Sequence, residues 1–124
     1  MRVAITGASG FVGSHCLAVA VAAGHEVRAV VRNPAKARAA AVLHGLDPGS
    51  IDVALADLTD HDALRVSLEG ADALIHAGAV FSLDPRDARR MRAVNPTSTR
   101  VLLEEAAERG LDRVVHVSSM GVYG

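Results

Sequence analysis

The sequence predicts an α/β protein in which one parallel β-sheet is covered by helices on both faces. Short runs of aliphatic and β-branched residues alternate along the chain with longer segments that carry helical spacing or helix-end signals. The runs are apolar throughout, which is typical of parallel strands that are buried on both faces. The resulting β-α-β-α-β-α-β-α-β order favours an open, doubly wound sheet with right-handed crossovers.

In the first half of the chain, we expect strands at 3–5 and 26–31 and helices at 10–23 and 34–43. The first helix ends before a glycine, and the second begins with a proline, which suits the first turn of a helix. One stripe of the first helix is expected to face the sheet because its small or apolar residues recur at helical spacing. Its members are Val12, Cys16, Val19 and Ala23.

In the second half, we expect strands at 51–56, 73–76 and 114–117 and helices at 63–69 and 97–109. Thr59 and Asp62 resemble a capping box ahead of the third helix. The last helix is amphipathic, with Val101, Leu102 and Leu103 expected inward and Glu104, Glu105 and Glu108 outward.

Three further features in this half have structural interpretations. Asn95 is either the N-cap of a helix that starts at Pro96 or an active-site residue. The run from Arg86 to Arg92 is expected to be a solvated helix face, and the alternative is a substrate or partner site. His76 and His116 are expected to be hydrogen-bonded core residues, and no metal site is predicted.

Composition limits the size and the class of the protein. The 124 residues are 50% hydrophobic and 22% charged, which is typical of a single globular domain over 1–124. A net charge of −1 argues against nucleic-acid and anionic-membrane partners. One cysteine, the lack of a membrane-length apolar run and the lack of a signal peptide favour a cytoplasmic location.

A glycine-rich loop follows the first strand and opens the first helix. Gly7 lets the chain turn tightly, Gly10 lets a pyrophosphate approach the backbone, and Gly13 lets the helix pack closely. The helix N-terminus offers amide donors to the phosphates. The predicted dinucleotide contacts in this loop are Gly7, Ser9, Gly10, Phe11, Val12 and Gly13. The alternative is a tight structural turn without a ligand.

The loop spacing Thr-Gly-x-x-Gly-x-x-Gly resembles that of the short-chain dehydrogenase/reductase superfamily. The resemblance is to the extended branch of epimerases, dehydratases and dihydroflavonol-reductase-like enzymes. Four later segments strengthen the resemblance: Asp57-Leu58, His76-Ala77-Gly78-Ala79, Val94-Asn95 with residues 96–99, and residues 117–124. The third segment departs from the family pattern V-N-x-x-G-T at Pro96 and Ser98.

This resemblance implies a Rossmann-type sheet with strand order 3-2-1-4-5. It also implies that the chain is the N-terminal, cofactor-binding half of a longer enzyme, truncated before the later strands. Asp57 and Leu58 would hold the adenine ring. A small-residue segment would lie under the adenine ribose and the pyrophosphate: Ala77, Gly78 and Ala79.

The resemblance aligns Ser119 with the catalytic Ser or Thr of the family. Tyr123 belongs instead to the loop after the fifth strand, because the family places its catalytic Tyr-x-x-x-Lys further along. The only lysine is Lys36, so residues 1–124 contain no such pair. We therefore expect this chain alone to be inactive.

The end of the second strand bears on the choice of cofactor. NAD-preferring Rossmann domains place an acid there for the ribose hydroxyls. This chain has Arg32, and a guanidinium would pair with a 2′-phosphate. Dihydroflavonol-reductase-like members carry a similar V-R-x-P segment and favour NADP(H). The sequence therefore favours NADP(H) over NAD(H), and the alternative is an unengaged surface arginine.

The leading hypothesis is the NADP(H)-binding part of an oxidoreductase. This enzyme would transfer hydride to or from a small carbonyl or hydroxyl substrate. One alternative is a nucleotide-sugar epimerase or dehydratase, and another is a non-catalytic NADP(H) sensor. A homodimer of the full-length parent is left open.

Overall fold

Five parallel strands and four α-helices make up the computed structural model, which describes residues 1–120. The strands are β1 (Arg2–Thr6), β2 (Glu26–Val31), β3 (Asp52–Leu55), β4 (Ala73–His76) and β5 (Arg113–His116). The helices are α1 (Phe11–Ala22), α2 (Pro34–Leu43), α3 (His61–Ser67) and α4 (Ala88–Glu108). Single 3₁₀ turns cover Pro48–Ser50 and Pro85–Asp87. The described part of the chain has no helix long and apolar enough to cross a bilayer.

The sheet has the order β3-β2-β1-β4-β5, and the sequence prediction of this order is confirmed. Central strand β1 pairs in parallel with both β2 and β4, so that Val3 lies beside Val27 and Ala73. The chain moves outward from β1 to β3 and then returns to the other side of β1 at β4. This reversal opens a crevice at the carboxyl ends of the strands, where open α/β sheets bind ligands.

Two apolar clusters fill the space on the two faces of the sheet. On one face, Ile5 of β1 packs in the same cluster as Leu17 of α1 and Ala41 of α2. On the other face, Ala4 belongs to the cluster that contains Leu102 of α4. Neighbouring residues of β1 thus point to opposite faces, which accounts for the continuous apolar runs in the sequence.

The buried face of α1 differs from the predicted stripe. Val12 and Val19 are exposed, and the buried residues are Gly13, Ser14, Leu17 and Ala20. A Cβ at position 13 would overlap the carbonyl oxygen of Gly7, so this glycine must face the loop after β1. Close backbone packing, more than hydrophobicity, therefore sets the rotation of α1.

The N-cap of α3 also differs from the prediction. Asp60, not Thr59, caps the helix, and its side chain accepts a hydrogen bond from the Ala63 amide at 3.1 Å. Thr59 instead donates its amide and its hydroxyl to Asp57. Asp60 lies one position after Thr59, and it caps the helix because its carboxylate accepts the Ala63 amide directly.

Helix α4 begins at Ala88, well before the predicted start at Thr97, and Pro96 lies inside it. The buried side of this helix follows i, i+3, i+4, i+7 spacing: Ser98, Val101, Leu102, Glu105 and Ala106. The prediction for Leu103 and Glu105 was therefore wrong. Leu103 is 38% exposed, whereas Glu105 is buried and accepts a hydrogen bond from Arg109. This charge pairing offsets the cost of burying the carboxylate.

Strand β5 is exposed along its whole length because it pairs on one side only, with β4, among residues 1–120. His116 at its end is therefore exposed, and the prediction of a core residue was wrong for it. His76 is buried as predicted.

Candidate nucleotide-binding site

A cleft of about 520 Å³ lies at the carboxyl ends of β1, β2, β3 and β4. Its walls come from the loops that follow these strands and from the start of α4. The lining residues near the first three strands are Thr6, Gly7, Ser9, Gly10, Val30, Val31, Arg32, Ala56, Asp57, Leu58 and Leu64. Those near β4 and α4 are Ala77, Gly78, Ala79, Val80, Phe81, Ser82, Asp87 and Arg90.

The three loop glycines have different roles. Gly7 has a φ of +67°, and a Cβ there would lie 2.8 Å from the Cα of Gly78. Gly13 is required by its contact with Gly7. Among residues 1–120, a Cβ on Gly10 would meet only the Gly7 carbonyl oxygen, at 3.3 Å, so these residues could accommodate it with a small shift. The free space beside Gly10 therefore belongs to the cleft.

The N-terminus of α1 lies next to this space. Gly10 is its N-cap, and no side chain within the described residues caps the helix. Its first turn also contains no acidic residue. The amides of this turn and the positive end of the helix dipole are thus available to an anion.

A hydrogen-bonded chain lies beneath the glycine-rich loop. The Thr6 hydroxyl accepts the Gly78 amide at 3.0 Å and is hydrogen-bonded to Nδ1 of His76 at 2.6 Å. Nε2 of His76 is in turn hydrogen-bonded to the Thr99 hydroxyl at 2.9 Å. Because the Thr6 and Thr99 hydroxyls can each donate or accept, either neutral tautomer of His76 satisfies both of its hydrogen bonds.

Burial lowers the pKa of His76 to about 4, and the nearby His116 ring contributes to the same shift. The two rings stack with their centroids 5.3 Å apart. His76 therefore stays neutral near pH 7, and the chain of hydrogen bonds joins β1, β4 and α4 below the cleft.

Asp57 is a fixed carboxylate on the opposite side of β1 from this chain. Its Oδ1 accepts the Thr59 amide at 2.9 Å and the Thr59 hydroxyl at 2.7 Å. These two hydrogen bonds lower the pKa of Asp57, and the charges of Arg32 and Arg90 lower it further. Asp57 is therefore ionised, with Oδ2 free of hydrogen bonds from residues 1–120.

Asn95 neither caps a helix nor lines the cleft. Its side chain accepts the Val80 amide at 2.8 Å and donates to the Val80 carbonyl at 2.9 Å. This pair of bonds attaches the loop after β4 to α4. Since that loop forms one wall of the cleft, Asn95 holds the wall in position.

The structure brings most of the predicted cofactor contacts into one cleft: Gly7, Ser9, Gly10, Arg32, Asp57, Leu58, Ala77, Gly78 and Ala79. Phe11, Val12 and Gly13 do not line it, and the Phe11 side chain is 82% exposed. Ser119 follows β5 and does not line the cleft either. Tyr123 and the rest of 121–124 lie outside the described residues.

Arg90 and Asp87 are the charged lining residues that the sequence analysis missed. The prediction of a solvated face over Arg86 to Arg92 fails at Arg90, which lines the cleft although it is exposed. The early start of α4 places it there. The local signal for that start is Asp84-Pro85: Asp84 caps the 3₁₀ turn Pro85–Asp87, which runs directly into α4, and Pro85 is the first residue of that turn. Arg86 does lie on the surface, paired with Asp84 at 2.6 Å.

The sequence matches the NAD-dependent epimerase/dehydratase family over residues 3–124. The chain is 36% identical over 124 residues to sterol demethylase protein B of Methylococcus capsulatus. This match covers 100% of this chain and 36% of that protein. It is 32% identical over 120 residues to a putative dihydroflavonol 4-reductase of Synechocystis, with 97% of this chain and 33% of that protein covered.

Among solved structures, the chain is similar to a short-chain dehydrogenase/reductase superfamily protein from Agrobacterium tumefaciens with bound NAD. The TM-score is 0.80 at 32% identity, and the match covers 99% of this chain and 34% of that chain. The chain thus spans about a third of the length of these relatives.

Proposed function

Because the chain belongs to the NAD-dependent epimerase/dehydratase family, we propose that its cleft binds NADP(H) as part of an oxidoreductase. The proposed reaction is hydride transfer to or from a small carbonyl or hydroxyl compound, as the likeness to a putative dihydroflavonol reductase suggests. When bound, the nicotinamide supplies or accepts the hydride. The residues of this chain bind and orient the cofactor.

The space beside Gly10 is the observation that carries this proposal. Packing within the protein requires glycine at positions 7 and 13 but leaves room for a Cβ at position 10. A glycine there suits a ligand that must approach the backbone closely. The neighbouring N-terminus of α1 lacks a side-chain cap among the described residues, which suits the negative charge of a pyrophosphate.

The residues after β3 and β4 suit the adenosine half. Oδ2 of Asp57 could accept a hydrogen bond from the adenine amino group while Oδ1 remains bonded to Thr59. Leu58 supplies an apolar wall. Ala77, Gly78 and Ala79 leave the floor of the cleft free of large side chains.

Arg32 supports NADP(H) as the preferred cofactor. It lies directly after β2, lines the cleft and is exposed. An arginine at this point would bind a 2′-phosphate by charge-assisted hydrogen bonds, whereas the acid that favours a ribose diol is missing from the end of β2. The NAD in the Agrobacterium structure is the ligand of that protein, and the proposed preference of this chain for NADP(H) rests on Arg32.

Ser119 is the proposed hydrogen-bond donor to the substrate oxygen. The reaction also needs an acid–base pair, for which the family's Tyr-x-x-x-Lys is the natural candidate. Residues 1–124 do not contain that pair. The proposed activity therefore belongs to the intact enzyme and not to this chain alone.

The test is a titration of NADPH and NADH into the intact protein and into its Arg32→Asp variant. We expect the native protein to prefer NADPH and the variant to lose this preference, since one charge-assisted contact contributes roughly 1.5–3 kcal/mol. Arg38→Asp, on the exposed side of α2, is the matched control. An unchanged ratio of the two affinities in Arg32→Asp would refute the role of Arg32.

Turnover separates the oxidoreductase from the second candidate, an epimerase or dehydratase, which the family description also names. NADPH oxidation with an aldehyde or ketone substrate supports the oxidoreductase. Conversion of a nucleotide sugar without net NADPH oxidation supports the second candidate instead.

A further inference from the structure

Arg90 lines the proposed cofactor cleft although it lies outside every segment that carries the family resemblance. It belongs to the first turn of α4, whereas Arg32 comes from the end of β2. Two features of the chain fix this position. Helix α4 starts as early as Ala88, and Asn95, one turn or so further along, bonds the loop after β4 to the same helix.

The two arginines lie near one carboxylate. Both Arg32 and Arg90 act electrostatically on Asp57 and lower its pKa, after the larger effect of the Thr59 hydrogen bonds. Neither guanidinium forms an ion pair within residues 1–120. Arg86, four positions before Arg90, does form one, with Asp84. The cleft therefore holds two cationic side chains whose hydrogen-bond donors are available to a ligand.

We propose that Arg90 is a second specificity-determining residue, which binds the 2′-phosphate of NADP(H) together with Arg32. This inference rests on the proposed function. A phosphate monoester carries about 1.5 to 2 negative charges at pH 7 and has three acceptor oxygens. Two guanidinium groups from different elements can share these oxygens, each through a two-point contact.

Two carboxylates limit how a phosphate could be held. Asp57 and Asp87 line the same cleft, so the two arginines do not leave it with a net positive charge. The charged side chains alone therefore give the cleft no general attraction for anions. Binding of the 2′-phosphate must come from direct contacts with the guanidinium groups, which makes it sensitive to removal of either side chain.

The test compares two probes that differ only in the 2′-phosphate, adenosine 2′,5′-bisphosphate and adenosine 5′-monophosphate. Their affinities are measured by calorimetry for the intact protein and for Arg90→Ala, Arg90→Lys and Arg89→Ala. We expect Arg90→Ala to lower the affinity for the bisphosphate roughly 10- to 100-fold and to change the affinity for the monophosphate little. Arg90→Lys should lose less affinity for the bisphosphate, because the positive charge remains.

Arg89→Ala is the matched control, since Arg89 is an exposed neighbour that does not line the cleft. It should leave both affinities unchanged. An equal loss for both probes in Arg90→Ala would overturn the inference, because Arg90 would then contact the base or the 5′ side. Unchanged affinities in Arg90→Ala would also overturn it.

Binding of the two probes to the native protein distinguishes failure of the Arg90 inference from failure of the proposed function. If it binds neither probe, the nucleotide site itself is wrong, and both proposals fall. If it binds both probes and Arg90→Ala behaves as native, only the role of Arg90 is wrong. Circular dichroism and thermal unfolding verify that each variant is folded.

Discussion

At the scale of single residues, His76 links folding to pH. Burial holds its pKa at about 4 in the folded protein, against 6.5 for an exposed histidine. The unfolded chain therefore binds more protons than the folded one between these two values. The stabilisation is fully present above pH 6.5 and is lost as the pH falls toward 4, by at most about 3 kcal/mol.

We predict that His76→Gln has a weaker dependence of unfolding free energy on pH than the native protein between pH 7 and pH 4. Urea unfolding of both proteins at several pH values measures this difference. His61→Gln, at the start of α3 and outside the Thr6–His76–Thr99 chain, is the control and should keep the native slope. Equal slopes in His76→Gln and native protein would show that His76 does not titrate with folding.

At the scale of elements, the loop after β4 depends on Asn95 of α4. Asn95→Ala removes both hydrogen bonds to Val80 and leaves its backbone groups in a partly buried position without those partners. We expect a loss of roughly 1–3 kcal/mol in unfolding free energy. NADPH should also bind more weakly, because one wall of the cleft is no longer held.

Asp72→Ala is the control for this prediction. The Asp72 carboxylate accepts the Arg2 amide at 2.7 Å, ahead of β4 at the end of the sheet away from the cleft. Its loss should lower stability without changing NADPH affinity. If Asn95→Ala is destabilised but binds NADPH as the native protein does, Asn95 has only a structural role.

The elements that the sequence predicted well are those with local signals. β2, β4 and α2 have the predicted bounds because apolar runs, a proline at the helix start and a glycine after its end mark them. The start of α4 is marked by Asp84-Pro85 in the adjoining 3₁₀ turn, but Pro96 also resembles a beginning although it lies inside the helix. Because the predicted helix began at Thr97, the prediction did not place Arg90 in the cleft.

The cleft likewise contains residues whose position the sequence predicted and residues whose position it did not. Gly7 and Gly10 were predicted from their place between a strand and a helix, and Asp57 and Gly78 from the family resemblance. All four line one cleft because they follow strands whose carboxyl ends lie at the same edge of the sheet. The exposed position of Phe11 was not predicted. It follows from the rotation of α1, which a contact between Gly13 and Gly7 determines and which no hydrophobic pattern records.

At the scale of the whole molecule, β5 determines how a polypeptide of residues 1–124 behaves. Val114 is 42% exposed and Val115 is 53% exposed, and β5 pairs within the described residues only with β4. An exposed apolar edge strand is a template for pairing with another chain. We predict that this polypeptide self-associates and that Val115→Lys reduces the association, as measured by light scattering. A monodisperse native monomer would contradict this prediction.

The central claim is that the space beside Gly10 receives the pyrophosphate of NADP(H). The most direct test is calorimetric titration of NADPH into the intact protein, its Gly10→Val variant and a Gly49→Val control at a surface turn. We predict that Gly10→Val keeps a native circular dichroism spectrum and loses NADPH binding, whereas Gly49→Val binds NADPH as the native protein does. A folded Gly10→Val protein with native affinity for NADPH would contradict the account.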